Sequence, residues 1–334
     1  RVLAGRMKAL LLAVVLLFVA GRSSRAEAGL EVAILGMPTA VFSFEPVPVL
    51  FEVKNVGHAP LLVPATADPE TGAAILTAAP GQELRARNYA SGLKLGRHAP
   101  PSMWLEPGER WLFLQDISIQ FDVLEGSFDV VAAFSSSGKC GTKLMGWRAS
   151  LSFDRFAELL EPPSEGHADP VYGCWSGQVR SAASTVRVVR STKTVDIDAE
   201  TFLLANRQLE SSSDGSSWQL GPRRDVVAKF PSSPFAYAVL ARDATSVPSM
   251  VEAVRLQPGN PLNVWVNALI AQRVLDFRST CWSGQKIDFD VSIDSLELAP
   301  GAREYLDQYA WNLESRICPL EREAEAEKRR RSQK

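Results

Sequence analysis

The sequence predicts an all-β sandwich in the first part of the chain and a mainly α-helical domain in the second. Short β-branched or apolar runs, separated by Pro, Gly and Asn, recur through residues 29–192 at the spacing of antiparallel strands. From about Val195 the apolar residues follow helical spacing instead. With 334 residues, 46% of them apolar, the chain can fill two cores of ordinary size, so two domains are expected.

Residues 1–28 have the pattern of a few upstream residues followed by a secretory signal peptide. Basic residues ending at Lys8 precede an unbroken apolar run of 12 residues, Ala9 to Ala20. This run is shorter than the roughly 20 apolar residues of a membrane-spanning helix. Ala26-Glu27-Ala28 has the small-x-small pattern of a cleavage site, so we expect a secreted or periplasmic protein that starts at Gly29. An uncleaved membrane anchor is the alternative.

The strands predicted for residues 29–192 begin after turn-forming residues. Leu105–Arg110 is a turn before one strand, and Glu125-Gly126 precede another. The predicted strands cover 30–34, 49–55, 61–63, 111–114, 127–134, 174–181 and 185–189. Residues 135–172 interrupt the series as an irregular insertion with a short helix near 153–160.

Four phrases of this region resemble the immunoglobulin-like sandwich found in many secreted bacterial proteins. They are "EPVPVLFEVKNVGHAPLLV", "LEPGERWLFLQDIS", "EGSFDVVAAF" and "CWSGQVRS" followed by "STVRVV". Gly126-Ser127-Phe128 departs from the pattern of this family, in which the Gly is more often followed within a few residues by a Tyr. The resemblance implies an immunoglobulin-like fold for residues 29–192 but no activity, because this fold serves adhesins, inhibitors and accessory modules of enzymes alike.

The four cysteines, Cys140, Cys174, Cys281 and Cys318, all lie beyond the predicted signal peptide. An oxidising compartment favours disulfides between them. We favour Cys140 with Cys174 and Cys281 with Cys318, because each pair lies within one predicted domain and closes a loop that contributes roughly 4 kcal/mol through chain entropy. Zinc binding is the weaker alternative, since the chain has no C-x-x-C pair and no His beside a Cys.

Residues 196–318 are predicted to form the helical domain, and residues 319–334 a charged tail. Ser233-Pro234 and Asn260-Pro261 each offer a capping residue followed by a proline at the first helical position. Further helices are expected over 199–209 and 301–317, and Ser211 to Ser217 are interpreted as a polar linker. The clearest apolar stripe comprises Leu262, Trp265, Val266, Leu269, Ile270 and Val274. The phrase "FPSSPFAYAVLAR" resembles segments of helical-repeat proteins, including the tetratricopeptide type.

The pentapeptide Cys-Trp-Ser-Gly-Gln occurs twice, at 174–178 and 281–285. Alternating apolar residues after the second copy predict a strand, either in a short β-hairpin near 286–294 or in the remnant of a second sandwich over 281–294. Trp175 and Trp282 are candidate binding aromatics, as exposed platforms for a glycan or a peptide. In the alternative interpretation, each Trp packs against a disulfide at the start of a strand.

The chain offers no recognisable catalytic, cofactor or metal motif. Serine-hydrolase, Walker, zinc-peptidase and dinucleotide-binding patterns are absent from the sequence, and its three His residues, His58, His98 and His167, lie far apart. We therefore name no catalytic, cofactor-binding or metal-binding residue. The acidic group Asp196, Asp198 and Glu200 is interpreted as capping and solvent-facing rather than as a calcium site. Asp288, Asp290 and Asp294 are interpreted as the solvent-facing side of a strand.

These observations predict a non-catalytic extracytoplasmic binding protein with an unknown protein or glycan partner. A near balance of 36 Lys and Arg against 38 Asp and Glu gives no reason to expect nucleic acid or a membrane as partner. A peptidase inhibitor is the first alternative, because "LEPGERWLFLQDISIQFDVLEGSFDVVAAF" resembles the core of small bacterial immunoglobulin-like proteinase inhibitors. A hydrolase with an unrecognised site is the second.

Overall fold

A computed structural model describes most of the chain beyond the predicted signal peptide. The described residues are 29–42, 45–64, 72–79, 81–82, 84–86, 102–117, 125–140, 172–205, 208–212, 215–219, 223–240, 247–278 and 289–312. Their strands are β1 (Leu30–Gly36), β2 (Ala40–Phe42), β3 (Pro48–Asn55), β4 (Leu61–Pro64), β5 (Ala73–Ala78), β6 (Arg85–Ala86), β7 (Ser102–Leu105), β8 (Arg110–Asp116), β9 (Gly126–Cys140), β10 (Tyr172–Arg180), β11 (Ser184–Val189), β12 (Gln208–Ser212) and β13 (Gly215–Gln219).

The helices follow in the second part of the chain. They are α1 (Thr194–Ala205), α2 (Arg223–Lys229), α3 (Pro234–Leu240), α4 (Val247–Leu256), α5 (Asn263–Arg278) and α6 (Ala302–Asn312), with a short 3-10 helix at Ile293–Ser295. None of the described helices is long and apolar enough to cross a membrane.

The strands predicted from the sequence are confirmed as β1, β3, β4, β8, β9, β10 and β11, whereas β2, β5, β6 and β7 were not predicted. Strand β9 continues to Cys140, so the start of the predicted irregular insertion is regular sheet. The helix predicted near 153–160 lies outside the described residues.

Strands β3 and β9 are the centres of two sheets. β3 pairs with β1 and β8, and β9 pairs with β5, β10 and β11. Strands β10 and β11 lie end to end along the same side of β9, with Ser181 between them. Ser181 donates its N–H to the Ala132 carbonyl of β9 (2.8 Å), and its Oγ accepts the Ala132 N–H (3.0 Å). The edge strand β2 joins β11 in parallel, and β4 pairs with β7 as a third, two-stranded sheet.

Strand β3 is buried on both faces. Phe51 is 1% exposed and stacks on Phe113 of β8, with 5.0 Å between ring centroids. Leu50 points to the opposite face, because successive side chains alternate in a strand, and is also fully buried. It lies beside Gly301 at the start of α6. The sheet around β3 is therefore an inner layer, covered by helical residues on the Leu50 face.

The prediction of an all-β immunoglobulin-like sandwich followed by a mainly helical domain is wrong. One continuous hydrophobic core contains Phe51 and Phe134 from the sheets together with Val266, Ile270 and Leu306 from the helical half. The second part also contains a hairpin, β12 with β13, where the sequence suggested a polar linker. The protein is a mixed α/β chain with several sheets, because helices α4, α5 and α6 complete the core of the sheets. Residues of α1, α2 and α3 form a smaller hydrophobic cluster of their own.

The hairpin predicted near 286–294 is absent from the described part of that segment, residues 289–294, which is irregular and then enters the 3-10 helix. The division of the chain between 192 and 196 stays a prediction. Contacts cross it: Arg110 Nη2 lies 2.6 Å from Glu304 Oε1 of α6, and Trp265 of α5 packs against Gly36 of β1.

The helix start predicted at Ser233-Pro234 is confirmed. The helix predicted over 199–209 instead runs from Thr194 to Ala205, and α5 begins two residues after Pro261. Ser233 accepts the Ala236 N–H at its Oγ (3.3 Å) ahead of α3, which begins at Pro234. Asn260 accepts the Leu262 N–H at Oδ1 (3.0 Å), and α5 follows from Asn263. The apolar stripe of α5 is buried as expected, with Trp265 half-buried at its margin.

Candidate binding cleft

An open cleft of about 720 Å³ lies between the end of α5, the segment 289–294 and α6. We call it the acidic cleft. Its lining residues are Leu275, Phe289, Asp290, Val291, Ser292, Ile293, Asp294, Arg303, Leu306, Asp307 and Ala310. All three walls come from the last fifth of the chain that the structure describes.

Backbone hydrogen bonds hold the walls of the cleft in place. The segment that leads from the 3-10 helix to α6 is tied to α5, since Ala299 donates its N–H to the Val264 carbonyl (3.1 Å) and Asn267 Nδ2 donates to the Glu297 carbonyl (2.9 Å). Gly301 then turns the chain into α6 with a φ of +78°, a conformation that residues with a Cβ rarely adopt. Helix α6 consequently runs back beside segment 289–294.

Negative charge predominates in the cleft. Asp290, Asp294 and Asp307 are among its lining residues, and Arg303 is the one cation in the described lining. Arg303 Nη1 lies 3.2 Å from Asp294 Oδ1, with the two side chains 46% and 94% exposed. An ion pair this exposed is weak. Two further carboxylates therefore remain to attract a positively charged ligand.

Apolar side chains line the cleft between these charges. Phe289 and Leu275 are half-buried, and Leu306 is 2% exposed at the base of α6. Such a surface can accept the methylene stem of a long cationic side chain while its charge stays near a carboxylate. The cleft thus combines apolar contact with an acidic rim.

The lining residues offer little for catalysis. Ser292 is the hydroxyl-bearing residue of the described lining, which includes no His, Cys or Lys to act as its base. Nowhere in the part of the chain that the structure describes do three or more His, Cys, Asp or Glu side chains come together as metal ligands. The three Asp side chains of the lining can bind a cationic ligand.

Sequence reasoning did not identify this cleft. Asp290 and Asp294 were interpreted as solvent-facing residues of a strand, but they lie in irregular chain and a 3-10 helix at the cleft. Asp307 gave no indication of a binding site, because acidic residues are common on the exposed face of an amphipathic helix. The one usable hint was the number of Asp residues between 288 and 294, which alone does not point to a site.

Of the four cysteines, Cys174 is the one whose side chain the structure describes. Cys174, in β10, is half-buried and disulfide-bonded. Cys140 ends β9, where its backbone pairs with Tyr172, but its side chain lies outside the described residues. Cys281 and Cys318 also lie outside them. Both pairings stay predictions.

Trp175 is half-buried on the sheet. Its ring lies 5.9 Å from that of Phe134, at an angle of 49°, and it packs at the margin of the main core. Trp282 lies outside the described residues. A binding role for the two tryptophans stays a prediction, and so does the alternative that each packs against a disulfide; a contact that the structure describes for Trp175 is with Phe134.

The acidic group of α1 is not solvent-facing as a whole. Asp198 is exposed, but Asp196 and Glu200 are each only 2% exposed. Asp196 accepts hydroxyl hydrogen bonds from Ser191 at Oδ2 (2.9 Å) and from Ser233 at Oδ1 (2.5 Å). Its role is to join the end of the sheet to the start of α3.

Glu45 is a further buried carboxyl that the sequence did not suggest. It is 4% exposed, and its Oε2 accepts the Phe42 N–H at 2.8 Å. The pKa of Glu45 is raised to about 7. Burial is the largest cause of this rise, the Phe42 hydrogen bond lowers the pKa by less, and the charge of Asp196 also raises it.

Comparison with known proteins gives no family. No protein-family model matches the chain, and no curated protein matches it. Spo0M, a sporulation control protein from Bacillus subtilis, is 13% identical with a TM-score of 0.24, over 55% of this chain and 58% of that one. A beta-glucosidase from Kluyveromyces marxianus in complex with glucose is 10% identical with a TM-score of 0.21, over 48% of this chain and 14% of that one. The chain thus spans less than two thirds of either structure, and likenesses this weak carry no functional argument.

Proposed function

We propose that this protein is a non-catalytic extracytoplasmic binding protein whose acidic cleft receives a positively charged segment of a partner protein. One observation carries the proposal: an open cleft of about 720 Å³ in which three carboxylates and one guanidinium accompany apolar side chains. Its volume lies within the usual range of ligand sites, roughly 300 to 1,000 Å³.

Charge distinguishes between the two partner classes that the sequence left open. A neutral glycan gains only hydroxyl hydrogen bonds from Asp290 and Asp307, whereas a Lys or Arg side chain gains an ion pair and can place its methylene groups on Leu275. Phe289 adds an aromatic ring, against which a cation is attracted. A basic protein segment therefore fits the cleft better than an uncharged sugar.

Two observations support the extracytoplasmic location. Residues 7–28 have the pattern of a signal peptide, and Cys174 is disulfide-bonded. Disulfides persist mainly in oxidising compartments outside the cytoplasm.

Binding of short labelled peptides tests the proposal. Fluorescence anisotropy would compare a Lys-rich pentapeptide with a Gln-rich pentapeptide of the same length on the full chain and on the double variant D290N/D307N. We expect the Lys peptide alone to bind, and its affinity to fall about tenfold in the variant, since two attractive charges at roughly 0.7 kcal/mol each amount to about 1.4 kcal/mol.

The matched control is E31Q/D198N, which removes two exposed carboxylates away from the cleft. It should leave peptide affinity unchanged. Equal binding of the Gln peptide, or equal loss of affinity in the control, would overturn the assignment of the cleft. Peptidase inhibition that D290N/D307N does not diminish would favour the inhibitor alternative, and turnover of any peptide would favour an enzyme.

A further inference from the structure

A second group of carboxyls lies buried where the sheets meet the helices. Glu45 belongs to the connection between β2 and β3, and Asp196 and Glu200 belong to α1. All three are at most 4% exposed. The group brings residues from the two parts of the chain into one buried site.

The three carboxyls differ in the hydrogen bonds and ion pairs that they make. Both oxygens of Asp196 accept hydroxyl hydrogen bonds, and Glu200 Oε2 lies 3.4 Å from Nε of Arg190. Glu45 receives one backbone N–H, from Phe42, and makes no ion pair with the Lys and Arg side chains that the structure describes. Among the described residues, a negative charge on Glu45 therefore has one donor and no cation, and it lies close enough to Asp196 to be repelled by it.

The described residues that line a cavity beside Glu45 carry no charge to offset that of an ionised Glu45. A cavity of about 20 Å³ lies next to Glu45, and its remaining lining is apolar or amide-bearing. These residues are Pro46, Pro234, Ala238, Met250, Ala253, Val254, Gln257, Asn260, Leu262, Asn263 and Val266. A space of this size holds about one water molecule, too few to hydrate a carboxylate.

We propose that Glu45 makes the packing of helices α1 and α3 against the connection between β2 and β3 depend on pH. With a neutral Glu45 the helices pack beside this connection as the structure shows. An ionised Glu45 is repelled by Asp196 and has no counter-ion among the described residues, so this junction of the two helices with the connection opens locally more often. Of the charged groups that the structure describes, Asp196 is the one whose charge acts on Glu45.

The direction of the effect follows from the sign of the shift. Because burial raises the pKa of Glu45 from 4.5 to about 7, its contribution to stability is fully present below about pH 4.5. That contribution is lost as the pH rises from 4.5 through 7, and no further loss occurs above this range. The junction is therefore tighter in mildly acidic than in alkaline surroundings.

Amide hydrogen exchange on the full chain tests this inference. After correction for the intrinsic effect of pH, amides of α1 and α3 in the wild-type protein should lose about tenfold or more of their protection between pH 5 and pH 8. In E45Q the loss should disappear, since the amide keeps an acceptor for the Phe42 N–H but does not titrate. The control E31Q, at an exposed position of β1, should behave as the wild type.

Equal loss of protection in E45Q and in the wild type would overturn the proposal. Should E45Q fail to fold, the side-chain carboxyl of Glu45 can be followed in the wild-type protein by carbon NMR with labelled glutamate. A midpoint near neutral pH, accompanied by shifts of the α1 and α3 amides, supports the proposal. A midpoint below about pH 5.5, or a titration that leaves those amides unchanged, contradicts it.

Discussion

Gln308 of α6 hydrogen-bonds to the backbone of Leu112 in β8 as a neighbouring strand would. The Leu112 N–H donates to Gln308 Oε1 at 2.8 Å, and Gln308 Nε2 donates to the Arg110 carbonyl at 3.2 Å. Strand β8 is the outer strand of the sheet around β3, so its free edge would otherwise invite pairing with another chain. A helix side chain covers that edge here.

Replacing Gln308 by Ala should lower the free energy of unfolding by about 1 to 3 kcal/mol, because two partly buried backbone groups lose their partners. Urea unfolding of the full chain measures it. The control R303Q removes only an exposed ion pair on the same helix and should cost less than about 0.5 kcal/mol. Equal stability of the two variants would show that the edge does not depend on Gln308.

Asn55, at the end of β3, should be among the positions most sensitive to substitution. It is fully buried, and its Nδ2 donates to the carbonyls of Ala59 (2.9 Å) and Leu105 (2.7 Å), while its Oδ1 accepts the Gly57 N–H (2.8 Å). With about 1 kcal/mol for each hydrogen bond, N55A should cost about 3 kcal/mol. N55D, which keeps the shape but cannot donate to two carbonyls, should cost at least as much. Thermal unfolding of both variants checks this, and a stable N55D would contradict it.

The contact between Gly36 and Trp265 joins β1 to α5. A Cβ at Gly36 would lie 2.6 Å from Cη2 of the Trp265 ring. G36A should therefore destabilise the protein by roughly 1 to 3 kcal/mol through overpacking. The double variant G36A/W265F should lose less than the sum of the single changes, because the smaller ring makes room for the methyl group. Strict additivity would mean that the two residues do not touch in solution.

Trp175 provides a test between packing and ligand binding. Because its ring packs on Phe134 at the edge of the core, W175A should lower the free energy of unfolding by about 2 kcal/mol. W311A, at a ring 41% exposed on α6, should cost less. A W175A variant of unchanged stability that loses affinity for a glycan or peptide would instead support the exposed platform.

Peptide mapping without reduction decides the disulfide pairing. We expect Cys140 linked to Cys174, since β9 and β10 are neighbouring strands whose paired residues include Cys140 with Tyr172. The remaining pair would then be Cys281 with Cys318. A link from Cys174 to Cys281 would refute this assignment and would place the two Cys-Trp-Ser-Gly-Gln segments side by side.

Local features were predictable from the sequence because their causes are local. The apolar run of β3 and the stripe of α5 follow the periods of a strand and a helix, and Ser233 and Asn260 cap the helices that follow them. By contrast, the Ser-rich sequence of β12 and β13 predicts a polar linker, because polar residues are poor indicators of a strand.

By itself, the sequence determined where most strands and several helices begin, which side chains are apolar enough to be buried, and that the cysteines lie beyond an export-like segment. Only the tertiary structure decided what covers each buried side chain. Leu50 and Phe51 are consecutive and both buried, but periodicity cannot show that Leu50 lies beside Gly301 of the helical half. The same holds for Glu45, which comes close to Asp196 from the other part of the chain, 151 positions away in the sequence. Hydrophobic burial and charge repulsion act between groups that are near in space, and folding brings such groups together from distant parts of the sequence.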